Sequence, residues 1–192
     1  MAGDLCVAIG AGSQRWDGWV PTNKEELNLT DRASFEKWFG SRRASALLCE
    51  HTWEHLDDQE ARNAAHMCFD FMQPGARLRV AVPDGPFPDA EYQRTVQVGG
   101  PGPADHPAAD HQVVYNYRTL PPVFEAAGFE VALLEWWDET PTFPQRPWDL
   151  ADGPVARATK LDTRNAAWRK GEGPPGLTSL LIDAIGPPAA PG

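Results

Sequence analysis

The sequence predicts an α/β domain: a mostly parallel sheet with helices on both faces and an antiparallel C-terminal edge strand. Three observations carry this reading. Strand-length apolar runs alternate with helical repeats over the first two thirds of the chain. The first run, residues 5–9, is apolar throughout, as a strand buried on both faces of a parallel sheet must be. The last two strand-like runs have no clear helix between them, so they are expected to pair antiparallel at one edge. With 192 residues and 42% hydrophobic side chains, the chain can bury one sizeable core and is too short for two ordinary domains. Residues 1–186 are expected to form that single domain, with 187–192 a disordered tail.

Leu5-Cys6-Val7-Ala8-Ile9 leads into Gly10-Ala11-Gly12, and a short second strand is expected around Trp19-Val20. Residues 34–39, before Gly40, read as a short helix with a serine cap and a glycine stop. Residues 44–49 form a buried strand that runs into Glu50-His51-Thr52-Trp53-Glu54-His55. Asp57 and Glu60 have the spacing of a capping box, in which the two side chains satisfy N–H groups left free at a helix start. Ala61, Ala64, Ala65, Cys68, Phe71 and Met72 then recur at helical spacing until Pro74-Gly75 ends the helix. Residues 77–82 form the next strand. Thr119 is placed to cap a helix whose first turn holds Pro121 and Pro122. Its apolar stripe is Leu120, Val123, Phe124 and Ala127, closed by Gly128. Strands at 129–136 and 177–185 complete the series, and the proline- and glycine-rich stretches 83–107 and 141–176 read as long loops.

Seventeen Lys+Arg against 27 Asp+Glu give a formal charge of -10, which repels phosphate backbones and anionic membrane surfaces. Neither nucleic acid nor membrane is expected as a partner, although Arg157, Lys160, Arg164, Arg169 and Lys170 make a local basic stretch. No apolar run reaches the ~20 residues of a membrane span, and the amino terminus lacks a basic segment followed by an apolar core, so a cytoplasmic protein is expected. Cys6, Cys49 and Cys68 are odd in number and sit in apolar segments, which reads as reduced core thiols.

Gly10-x-Gly12 after a buried strand would let a ligand approach the backbone at the carboxyl end of the sheet, where open α/β sheets bind their ligands. Such a pair also serves turns that bind nothing. A nicotinamide or flavin dinucleotide does not fit: Arg15 replaces the third glycine, and no helix of about ten residues fits between Gly12 and Trp19 to receive a pyrophosphate. A ligand without phosphate suits the short turn better.

In order along the chain stand Ile9-Gly-Ala-Gly12, Gly18-Trp19-Val20, Leu27-Asn-Leu-Thr-Asp31, Glu50-His-Thr-Trp-Glu-His-Leu56, Gln73-Pro-Gly75, Arg77-Leu-Arg-Val-Ala-Val-Pro-Asp84, Tyr115-Asn-Tyr117 and Glu125-Ala-Ala-Gly-Phe129. In this order and spacing the chain resembles a family of small class I S-adenosylmethionine-dependent methyltransferases with a Rossmann-like fold, over roughly residues 5–186. The resemblance implies S-adenosylmethionine as cofactor, with Gly10, Ala11 and Gly12 against its methionine part. Asn23 stands where the family commonly has a carboxylate for the ribose hydroxyls; an amide can still bond a diol, without the strength that charge adds. Asp31 falls on the adenine side, where a helix cap is the equal alternative. Glu50 and His51 fall at the end of their strand, near the path of the methyl group.

Methyl transfer needs a nucleophile aligned behind the methyl carbon, and a general base only where the acceptor must lose a proton. His51 is the first candidate for base or orienting group, with His111, Tyr115 and Tyr117 after it; each could equally serve a structural hydrogen bond. The acceptor is expected to be a small molecule taking the methyl on oxygen or nitrogen. Trp136, Trp137, Phe143, Trp148 and Trp168 lie among prolines, where they could form a lid, a satellite core or a homodimer contact. Two other functions stand beside this one. The first is a catalytically silent protein that binds S-adenosylmethionine or S-adenosylhomocysteine. The second is a metal-dependent hydrolase, since His51-Thr-Trp-Glu54-His55 spells H-x-x-E-H and His51 or His55 could join His106 and His111. The first pattern needs a helix where a strand-to-helix connection is expected, and no metal is expected.

Overall fold

The computed structural model describes residues 4–189. Its sheet has six strands, β1 (Cys6–Ile9), β2 (Trp19–Thr22), β3 (Ala44–Glu50), β4 (Met72–Pro83), β5 (Glu130–Glu135) and β6 (Ser179–Ile185), in the order β2-β1-β3-β4-β6-β5. The helices are α1 (Arg32–Phe39), α2 (Asp58–Asp70), α3 (Ala90–Val96) and the short α4 (Pro121–Glu125). β1 pairs parallel with β2 and β3, and β3 with β4; β6 runs antiparallel to both β4 and β5. The C-terminal strand is antiparallel as expected. It inserts one place in from the rim, leaving β5 outermost.

Side chains alternate across the strands and build two cores. On one face Val7, Ile9, Leu47, Cys49, Leu78, Val80 and Ile182 share a core with residues of α1, α2 and α4. On the other, Ala8, Leu48, Ala81 and Leu181 meet Trp148, Val155 and Ala158, with Trp16 and Trp19 alongside. This second layer differs in kind from the helices expected there: the excursion 136–178 supplies it, with single 3-10 turns at Thr163–Asn165 and Trp168–Lys170. The helix that usually links a parallel pair is also missing between β1 and β2, whose connection, residues 10–18, is turn and coil.

A helix satisfies its own backbone, whereas an irregular layer needs polar partners from the sheet. Glu50 accepts from the backbone N–H of Ala156 (2.8 Å) and Arg157 (3.0 Å). Buried Glu135 accepts from Trp148 Nε1 (2.8 Å) and from the backbone N–H and hydroxyl of Thr159. Arg79, fully buried, forms a two-pronged pair with Asp183 opposite it on β6 (2.8 and 2.9 Å) and donates to the carbonyls of Asp149 and Gly153. Trp148 and Trp137 are thus packing residues, the latter giving its ring N–H to Thr178 (2.9 Å). Most of the basic stretch is spent likewise: Lys160 on the Trp148 carbonyl, Arg169 on those of Thr159 and Asp162, Arg164 on the Asp162 carboxylate.

Helix ends differ from the sequence reading in three places. Asp31, not Ser34, caps α1, accepting from Ala33 N–H (3.0 Å), while Ser34 bonds back to Asn28 and Asp31. α2 has the expected capping box but stops at Asp70, so Met72 opens β4 and Pro74-Gly75 lies inside that strand. Thr119 does not cap α4; its hydroxyl accepts from Asn116 N–H instead. The helix α3 forms in a stretch read as loop, with Asp89 as its cap. Of the expected tail, Pro187 is held by Gly75 N–H (2.8 Å), and residues 190–192 lie outside the described ones. Cys49 and Cys68 are buried free thiols, and Cys6 is half-buried.

Candidate functional site

The carboxyl ends of β1, β3 and β4 and the start of β6 converge on one edge of the sheet. Gly10 and Gly12 both take positive φ, +66° and +55°. At Gly10 an added Cβ would fall 2.5 Å from Thr52 Oγ1, so glycine is what lets the connection after β3 lie against the end of β1. Ala11 is buried and its N–H bonds Thr22 O (2.9 Å). Asn23 follows β2 directly, but its carboxamide oxygen accepts from Gly12 N–H (2.8 Å), so it fixes the turn from within.

His51 has φ +52°, a left-handed conformation that a side chain tolerates only when its surroundings hold it. Its N–H bonds Ala81 O (2.8 Å), and its Nε2 lies 2.8 Å from Ser179 Oγ. The Ser179 hydroxyl donates to Arg157 O (3.0 Å), so it accepts from His51, and His51 Nε2 carries the hydrogen. The other ring nitrogen faces Glu54 Oε1 at 3.3 Å. Burial pushes the Glu54 carboxyl up, but its surroundings, His51 foremost and His55 after it, together outweigh burial and hold it below the ordinary carboxylate range.

Two cavities flank this connection. The smaller, about 340 Å3, borders Gly10 and Thr52 and is walled by Leu27, Leu29 and Leu56, with Lys24, Thr30, Glu60 and Asp110 as polar groups. The larger, about 560 Å3, contains His51, Glu54, His55, His106 and His111, with Tyr92 and Val96 of α3 and Arg157 and Arg164 of the excursion. Four of the chain's five histidines therefore border one space. His55 belongs to both walls. Both volumes lie in the range of small-molecule and cofactor sites.

The structure brings Gly10 to the smaller cavity and His51 and His111 to the larger. It does not bring the other expected residues there. Asp31 is an exposed helix cap, and Glu50 turns to the second face as an anchor for the excursion. Tyr115 packs in the helical core, where burial pushes its phenol up to about 12, and half-buried Tyr117 donates to Glu139 (2.6 Å). The H-x-x-E-H run is not helical: Trp53–His55 is a single 3-10 turn, and His51 is engaged with Ser179 and Glu54. Sequence reasoning passed over Lys24, Thr30, Glu60 and Asp110 as cavity groups. Glu60 was legible only as a cap and Thr30 only as part of the run Leu27-Asn-Leu-Thr-Asp31, and Lys24 and Asp110 stand in no pattern.

A mixed sheet with its antiparallel strand inserted beside the last parallel one, and a glycine turn at the mouth of the first, define the class I methyltransferase fold. The chain superposes on one chain of the complex between the Haloferax volcanii Trm112 methyltransferase activator and a protein described as a methyltransferase, with TM-score 0.53 and 14% identity, covering 96% of this chain and 83% of that one. A SAM-dependent methyltransferase from Archaeoglobus fulgidus gives TM-score 0.51 and 13% identity over 95% and 86%. An O-methyltransferase family protein from Burkholderia thailandensis gives 0.54 and 11%, this chain spanning 52% of that one's length. No protein-family description and no curated protein sequence matches the chain. Among the described residues no helix is long and apolar enough to cross a membrane.

Proposed function

We propose that the chain is an S-adenosylmethionine-dependent methyltransferase acting on a small-molecule acceptor at oxygen or nitrogen. The observation that supports this reading is the pair of cavities sharing His55, at the strand ends where this fold class binds ligands. The donor occupies the smaller one: its methionine part lies along Gly10, Lys24 faces its carboxylate, and Glu60 and Asp110 face its cationic groups. Its apolar wall of Leu27, Leu29 and Leu56 suits the adenosine. Asn23 acts through the Gly12 amide rather than by grasping ribose. The acceptor occupies the larger cavity, and His51 serves as an orienting group, its Nε2 held by Ser179 and its Nδ1 facing Glu54.

Calorimetry with S-adenosylmethionine and S-adenosylhomocysteine tests the donor half; no heat of binding for either at millimolar ligand sinks it. For the second half, His51→Ala should lower turnover and leave donor affinity nearly intact. Equal loss of both would make His51 a purely structural residue. A silent binding protein is the competing reading, motivated by the internal engagement of His51, and donor binding without turnover across an acceptor panel would favour it.

A further inference from the structure

We propose that Glu54, His55 and His111 form a binding site for one divalent first-row transition ion of the Zn(II) kind. One nitrogen of each ring and one carboxylate oxygen lie within 4.8 Å of one another, a separation an ion bound to all three could span. Two imidazoles and a carboxylate suit borderline divalent ions, whereas magnesium and calcium prefer all-oxygen sets.

The second observation is the state of Glu54. Its side chain is 1% exposed and neither carboxylate oxygen has a hydrogen-bond partner; His51 Nδ1 stands 3.3 Å from Oε1. A carboxylate withdrawn from water without bonded partners is costly, and such groups ordinarily pair or bind metal. Edge-to-face packing of the His55 and His111 rings, 4.9 Å between centroids, accounts for their own contact but leaves that carboxylate unsatisfied.

The outer contacts have the form that orients metal ligands. His55 Nδ1 lies 2.7 Å from Asp110 Oδ1, and His111 Nδ1 lies 2.9 Å from the Val96 carbonyl, which can only accept. Each Nδ1 is thus the N–H end of its ring, and each Nε2 keeps a free lone pair. A metal-bound histidine ordinarily gives its other N–H to a carboxylate or carbonyl in this way. His51 stands behind Glu54 as the third outer partner. Three protein ligands beside a cavity of about 560 Å3 leave coordination positions open to water or to an oxygen of a bound molecule. The net charge of -10 favours a cation as guest.

The site is independent of the donor reading, because ion binding is measured without S-adenosylmethionine. Protein stripped with a chelator is titrated with Co(II), followed by its visible absorption, and with Zn(II) by calorimetry; Mg(II) is the hard-ion control. The expected result is one equivalent of Co(II) and of Zn(II), bound at least ~100-fold more tightly than Mg(II). His111→Ala should weaken Zn(II) by ~100-fold or more, and Asp110→Asn by ~10-fold. Asp110 is 75% exposed, so its replacement leaves the fold intact and decides the matter even if His111→Ala unfolds. No stoichiometric binding of Co(II) or Zn(II), or binding that Asp110→Asn leaves unchanged, overturns the proposal.

Discussion

Replacing Asp84 by Asn should change how stability responds to pH. Asp84 follows β4, is fully buried, and has one carboxylate oxygen without a hydrogen bond; the other accepts from Trp137 N–H (2.7 Å). Burial outweighs that bond and raises its pKa from 3.8 to about 7. Below pH 3.8 both folded and unfolded chains hold the proton and nothing is lost. Between there and about 7 the unfolded chain releases the proton while the folded chain keeps it, so stability falls as pH rises. A rise of about three units at ~1.4 kcal/mol each makes the full loss above pH 7 roughly 4 kcal/mol. The carboxamide of the Asp84→Asn variant does not titrate, and its oxygen can still accept from Trp137. Urea unfolding of both proteins at about pH 4.5, 6 and 8 should therefore show the variant gaining about 2–4 kcal/mol on the parent across that range. Parallel pH profiles, within about 0.5 kcal/mol, would refute the assignment of a buried proton to Asp84.

Other substitutions separate anchoring from ligand binding. Gly10→Ala places a methyl against Thr52 at φ +66° and should cost roughly 1–3 kcal/mol in thermal or urea unfolding, with weaker S-adenosylmethionine binding by calorimetry. Arg79→Met leaves buried Asp183 paired with Arg77 alone and strands two carbonyls. It should cost about 2–4 kcal/mol and make the excursion 136–178 the first site of limited proteolysis. Glu50→Gln removes one of two backbone-amide acceptors for the excursion and should cost about 1–3 kcal/mol while S-adenosylmethionine affinity stays within about twofold. A large loss of affinity would return Glu50 to the cofactor site.

Local signals are legible where a local rule fixes the outcome. The apolar runs ending at Ile9 and Cys49, the second broken only by Ser45, mark buried strands, and the Asp57–Glu60 box marks the start of α2. Helix ends are less legible. Ser34 and Asp31 both suit a cap, and the choice falls to which carboxylate or hydroxyl can reach an open N–H. Met72 continues a helical repeat but pairs with Ala44 once β4 joins the sheet, because strand pairing offers its backbone a partner that an isolated helix end lacks. α3 escapes the sequence reading because its seven residues carry no strong apolar stripe, although Asp89 before it is a cap.

Taken alone, the sequence determined the sheet class and the glycine turn, since each follows from neighbouring residues and their periodicity; a place for His51 near the site was only what the family resemblance implied. Only the tertiary structure decided which polar groups are spent inside the chain and which face a cavity. Glu50, Asp31 and Asn23 have the chemistry to bind a cofactor, yet backbone amides claim them first: for Glu50 and Asn23 ones that folding brings near, for Asp31 that of Ala33 two residues on. Glu54 and His55 lie on a different segment from His111, and the carbonyl that orients His111 belongs to a helix unread in the sequence. Hydrogen-bond satisfaction is a property of distances in space, and residues far apart along the chain acquire those distances only when the sheet is assembled.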